Sequence, residues 1–254
     1  MLGAIGAGSL DDLFADIPDS IRLDCPINLP PGRSEQDVND HLTALAARNR
    51  HCDAEVSFLG AGMYDHYVPA LIDNLLSRSE FLTPYTPYQP EISQGGLQVM
   101  FEYQTAISEL TALPVSNASV YEGPSAVASA GYLAHGKPKV VVSRGVHPHA
   151  RAALRTTAAA YGGEVVEVGL RDGVTDADAW AGAIDQDTGA VIFAQPNFLG
   201  AVEDAAALGQ AAKDSPAVVI GSYDPIPLGI LKPPGECGVD VCVGEGQALG
   251  NRLD

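Results

Sequence analysis

Beyond residue 115 the chain alternates short β-branched apolar runs with helical stretches, and few folds admit that pattern. Ser119-Val120-Tyr121 reads as a strand end, and Glu122-Gly123-Pro124-Ser125 turns into an alanine-rich helix reaching about His135. Val140-Val141-Val142 is a buried strand, followed by a helix from Pro148 to Tyr161. Glu164 to Val168 is a strand, Asp176 to Ile184 a helix capped by Thr175, and Ala190 to Ala194 a strand. Glu203 to Lys213 is a helix, and strands at Ala217 to Gly221 and Val239 to Val243 close the series. Strands apolar on both faces and separated by helices predict an α/β fold, with a mostly parallel sheet covered by helices on both sides. Ligands of such sheets sit beyond the carboxyl ends of the strands. Those ends are Tyr121 to Ser125, Ser143 to His147, Gln195-Pro196-Asn197 and Ser222 to Pro225, all polar enough to imply a cleft.

The first third of the chain reads differently. Asp11 and Asp12 cap a short helix that Ile17-Pro18 stops, and Ser34 to Asp37 cap a second carrying Val38, Leu42, Leu45 and Ala46 at helical spacing. Nothing catalytic stands on this arm (residues 1–68), and its expected job is packing on a neighbour. A glycine-rich aromatic stretch, Phe58 to Tyr67, and a short helix from Pro69 to Ser77 follow. Then prolines recur every third residue at 84, 87 and 90. Each fixes its own φ and biases the residue before it away from the helix, so polyproline II is expected, without internal hydrogen bonds. That period aligns Tyr85, Tyr88 and Glu91 in one row and Thr83, Thr86 and Gln89 in another. Two phenols in register beside a carboxylate suit a site or an interface better than a spacer. A long helix is expected from Gln94 to Ala112.

Composition removes several functions. A formal charge of −18 with only 14 Lys and Arg argues against nucleic acid and anionic membrane surfaces. No run of 18 apolar residues exists to span a membrane. Arg22 is the first basic residue, which argues against a secretory or mitochondrial address and for a cytoplasmic protein. Cys25, Cys52, Cys237 and Cys242 form no C-x-x-C pair and read as buried free thiols.

The chemistry open to the strand ends is narrow. Gly123-Pro124-Ser125 begins a helix and offers free amides to an anion. Asp224 either pairs a protonated heteroaromatic nitrogen or caps the turn before Pro225, and spacing alone favours the cap. His147-Pro148-His149 has metal-like spacing but no third ligand, so no metal is expected. Only Lys137, Lys139, Lys213 and Lys232 exist, and none reads as a Schiff-base lysine on a pocket wall.

Six motifs together carry a resemblance: Phe58 to Tyr64, Tyr85 to Gly96, Tyr121 to Ala126, Ser143-Arg144 with His147-Pro148, Gln195 to Gly200, and Leu228 to Glu236 with Gly244 to Gln247. Over nearly its whole length the chain resembles the glycine cleavage system P-protein, subunit 1 of its split bacterial form. The resemblance implies a pyridoxal-phosphate fold type I large domain (residues 69–254). It also implies decarboxylation of glycine, with aminomethyl transfer to the lipoyl group of H-protein. In that fold a lysine follows the strand-end aspartate by some twenty to thirty residues. Counting from Asp224 reaches the neighbourhood of Gln247, where no lysine stands. The family likeness accordingly places the cofactor lysine on subunit 2, in a heterotetramer of two subunit pairs. It leaves Gly123, Ser125, His147 and Asp224 as vestiges of a cofactor site, and lends Tyr85, Tyr88, Gln89 and Glu91 to the partner's site. Family subunits continue well past Gln247, so a C-terminally truncated chain with an incomplete sheet is expected. The competing readings are a non-catalytic partner that stabilises subunit 2, and an independent pyridoxal-phosphate decarboxylase, which the lysine positions oppose.

Overall fold

A computed structural model of the chain describes every residue except 24, 53, 63, 82–85, 134–135 and 253–254. It divides into two compact units, Met1–Phe58 and Leu59–Asp254.

The first unit holds α1 (Leu2–Ile5), a 3-10 turn at Asp11–Phe14 and α2 (Glu35–Ala46). Ser34 caps α2, its hydroxyl accepting the Asp37 N–H at 3.2 Å and donating to the Asp37 carboxylate at 2.7 Å. None of the described residues in this unit is buried. The apolar stripe Val38, Leu42 and Leu45 forms at the expected spacing and stays in solvent.

The second unit opens with α3 (Ala70–Leu76), α4 (Pro90–Thr111) and α5 (Gly123–Tyr132). There follow β1 (Lys139–Ser143), α6 (Pro148–Ala160), β2 (Glu164–Val168), the small hairpin β3 (Leu170–Arg171) and β4 (Val174–Thr175), and α7 (Ala177–Ala183). The unit ends with β5 (Thr188–Gln195), α8 (Ala205–Gln210), β6 (Val218–Tyr223) and β7 (Val241–Val243). Five strands make one parallel sheet in the order β2-β1-β5-β6-β7. Side-chain alternation along them separates two cores. Val140, Val142, Ile192 and Ile220 pack with Leu154 of α6 and Val127 of α5 on one face. Val141, Val191, Phe193 and Val219 pack with Trp180 of α7 and Leu208 of α8 on the other. All eight residues of β5 are buried, as the centre of a parallel sheet requires. β2 and β7 are the edges, and beyond β7 no strand pairs among the described residues. From β1 the chain steps outward to β2 and then back across to β5, so the strand order reverses between β1 and β5. In open parallel sheets, ligand crevices form at such a reversal, beyond the carboxyl ends of the strands.

Four local expectations change. Ser119-Val120-Tyr121 forms no strand and bends at Tyr121, which stands fully in solvent; no neighbouring strand lies beside it among the described residues. Pro90 opens α4 instead of continuing a polyproline ribbon, since a proline at the first helical position loses no helical hydrogen bond. The ribbon also has an internal bond, Tyr88 N–H to the Thr86 carbonyl at 2.9 Å. Asp176, not Thr175, caps α7, its carboxylate accepting the Asp178 and Ala179 N–H groups at 3.1 Å. Of the cysteines, only Cys237 is buried; Cys25 and Cys52 are exposed and Cys242 is half-buried.

Candidate functional site

A buried polar network that begins at Glu203 ties the carboxyl ends of β1 and β5 together. Its Oε1 accepts the Thr175 N–H (3.1 Å), the Thr175 hydroxyl (3.0 Å) and the Asn197 amide (2.8 Å), and its Oε2 accepts the Thr175 N–H at 2.9 Å. The Thr175 hydroxyl is thus a donor, so the Ser143 hydroxyl 2.7 Å away donates to it in turn. The Ser143 oxygen then accepts the Gly145 N–H at 3.0 Å. Asn197 uses all four of its sites, donating to Gly173 O and Glu203 and accepting from the Leu199 and Ala201 N–H groups. The Phe198 N–H adds a further tie by donating to Gly145 O at 2.7 Å. A β-carbon on Gly145 would come within 2.9 Å of the Asn197 β-carbon, which is why glycine stands there. Gln195 brackets Glu203 from the strand side, exchanging hydrogen bonds with its backbone at 2.8 and 3.0 Å. No cation pairs with Glu203 among the described residues; dipoles alone surround its carboxylate.

His147 stands at the rim. Its Nδ1 accepts the His149 N–H at 3.1 Å and so caps α6. Nε2 therefore carries the proton and donates to the Ala61 carbonyl at 3.0 Å. The ring meets Phe198 edge-on at 4.9 Å. A β-carbon at Gly62, whose φ is +93°, would lie 2.9 Å from that ring.

At the end of β6, Asp224 behaves as a turn cap: its Oδ1 accepts the Ile226 N–H at 2.9 Å. Tyr223 beside it is buried, its hydroxyl has no hydrogen-bond partner among the described residues, and burial raises its pKa. A groove of about 1130 Å³ passes this strand end and α5, with Glu122, Gly123, Tyr223, Val243, Glu245 and Gln247 in its lining.

The α5 turn expected to offer free amides is already occupied by the chain itself. The Gly123 N–H donates to Glu245 Oε1 at 2.7 Å, and the Ser125 N–H to Glu122 Oε1 at 2.8 Å. Three of the four lysines lie elsewhere. Lys139 opens β1 at the opposite end of the sheet, bonded to Asp185 at 2.5 Å and to Ala183 O at 2.8 Å. Lys137 bonds Gln186 O, and Lys213 lies between α8 and the start of β6. Lys232 lies in the loop between β6 and β7. With the Gly123 and Ser125 amides taken, the start of α5 does not fit the phosphate of a phosphorylated cofactor.

Of the residues expected to serve a neighbour, Tyr85 lies outside the described residues. Tyr88 is 87% exposed, Gln89 precedes α4, and Glu91 stands in its first turn beside an open depression of about 470 Å³. Among the described residues no hydrogen bond joins their side chains to the strand ends.

The five-stranded parallel sheet, its reversal and its layered helices define the large domain of the pyridoxal-phosphate-dependent fold type I class. The same fold occurs in a Burkholderia pseudomallei sphingosine-1-phosphate lyase (TM-score 0.59, 16% identity, covering 81% of this chain and 51% of that one). Residues 1–253 match the family described as Glycine cleavage system P-protein, and the chain belongs to that family. A Lysinibacillus sphaericus relative named "Probable glycine dehydrogenase (decarboxylating) subunit 1" is 47% identical over 253 residues, 98% of this chain and 56% of the relative. A solved glycine decarboxylase (P-protein) of the glycine cleavage system, in inhibitor-bound form, superposes with TM-score 0.88 at 45% identity, covering 100% of this chain and 57% of that one. The chain thus spans little more than half the length of the relatives it matches.

Proposed function

We propose that this chain acts as a subunit of a cytoplasmic glycine decarboxylase and does not itself hold the pyridoxal phosphate. Glycine is the substrate, P-protein subunit 2 carries the cofactor and its lysine, and lipoylated H-protein receives the aminomethyl group, in an assembly of two subunit pairs. The cofactor, when bound by the partner, supplies an electron sink for loss of the carboxyl group. One observation carries the reading: a cofactor-class sheet whose helix-start amides, at Gly123 and Ser125, are satisfied internally by Glu245 and Glu122. What this chain would contribute is the segment Tyr85, Tyr88, Gln89 and Glu91, which borders the partner's cofactor and orients what enters there. Exposure of Tyr88 and Glu91, whose side chains make no hydrogen bond among the described residues, supports that role. On the same reading Gly123, Ser125, His147 and Asp224 are vestiges of a cofactor site.

Glycine–bicarbonate exchange tests this directly. The chain alone should show no exchange, and addition of subunit 2 and H-protein should restore it. With Tyr85→Ala, Tyr88→Ala and Glu91→Ala combined, exchange should fall roughly tenfold or more, because misplaced positioning groups cost rates of that order. Unburied apolar residues throughout the first unit favour a second reading, a partner that only stabilises subunit 2. Unchanged exchange in the triple variant at unchanged complex affinity would establish that reading instead.

A further inference from the structure

We infer that Glu245 is an internal anion that fills the amide cradle at the start of α5 and keeps this chain closed to a phosphoryl group. The inference deepens the cofactor-free reading above by naming the group that enforces it.

The donors at a helix start can be counted in full. Gly123 N–H goes to Glu245 Oε1 at 2.7 Å, across 122 positions of sequence. Pro124 has no N–H. Ser125 N–H goes to Glu122 Oε1 at 2.8 Å, and Ala126 N–H to the Glu122 carbonyl at 3.0 Å. The Ser125 hydroxyl is engaged too, donating to the Glu122 carbonyl at 3.1 Å. Every donor that could cradle a phosphate is therefore taken.

Glu245 also occupies the space. A β-carbon on Gly123 would lie 2.3 Å from Glu245 Oε1, 3.1 Å from its Cδ and 3.3 Å from its Cγ, so the acidic side chain lies flat against the helix start. Neither Glu122 nor Glu245 forms an ion pair among the described residues. Two carboxylates without a cation at a helix N-terminus are held by its amides and dipole, and they repel a phosphate dianion. Because Glu245 leaves the loop just after β7, the contact also ties that loop to α5.

The test reads the Gly123 and Ser125 amide resonances of the ¹⁵N-labelled chain, which need no turnover and so stand apart from the exchange assay. Millimolar inorganic phosphate should leave both amides of the unmodified chain in place. Glu245→Ala should move the Gly123 amide and let phosphate perturb it, with apparent affinity roughly tenfold above the parent. Phosphate moving Gly123 in the unmodified chain, or a Gly123 amide indifferent to Glu245→Ala, would overturn the inference. The unmodified chain decides the first point even if the variant fails to fold.

Discussion

Glu203 is the residue around which the buried polar network is organised, and it was read from sequence only as the start of a helix. An acidic residue after an apolar strand and ahead of Asp204 looks like a first-turn carboxylate. Its inward orientation depends on Thr175 and Asn197, 28 and 6 positions away, which no local pattern reveals. The same long-range bonds explain why Asp176 caps α7: the Thr175 hydroxyl is already committed to Glu203. Replacing Glu203 with alanine strands the Thr175 N–H and the Asn197 amide in a dry interior. Each unsatisfied buried donor costs about 1–3 kcal/mol, so Glu203→Ala should lower stability by roughly 2–6 kcal/mol in urea unfolding. Glu203→Gln, which keeps one acceptor oxygen, should cost less. Equal stability of Glu203→Ala and the parent would show that the network contributes nothing net.

At the scale of elements, strands were the most legible feature. Runs such as Val140-Val141-Val142 are apolar on both faces, and only a covered parallel sheet accommodates that. The hairpin of β3 and β4 was missed although its signal was present: Asp172-Gly173 between Leu170-Arg171 and Val174-Thr175, with both central residues at positive φ. Strand Ser119 to Tyr121 failed for the opposite reason, since propensity cannot supply a missing neighbour. The start of α5 was legible, but its amides are not free as expected, because a carboxylate from the far end of the chain lies on them. Helix α7, only seven residues long, depends on packing because so short a helix is unstable alone. Trp180 is its anchor, fully buried, with its indole N–H donating to Leu208 O at 3.1 Å. It is also the single tryptophan, so its fluorescence reports this contact. Emission should be blue-shifted and shielded from iodide in the folded chain, and Trp180→Ala should cost about 3–5 kcal/mol by circular-dichroism unfolding.

At the scale of the whole molecule, charge and exposed apolar surface oppose one another. The chain carries −18 at neutral pH, yet Phe14, Leu42, Tyr88, Ile92 and Phe101 stand in solvent. Repulsion keeps copies apart while that charge persists. As pH falls towards the isoelectric point of about 4.5, carboxylates take up protons and the repulsion fades. Light scattering should therefore rise on acidification from neutral pH, and added salt should screen the charge and produce the same association at neutral pH. Scattering that stays flat on both paths would mean the apolar surface is not adhesive.

The outer border of β7 has a further consequence. Its amide and carbonyl groups already point in a direction dictated by four strands behind them. A segment arriving there needs no pattern of its own to decide its alignment, because the ladder supplies register and twist together. A strand that paired at Val241–Val243 would therefore take its alignment from the existing ladder.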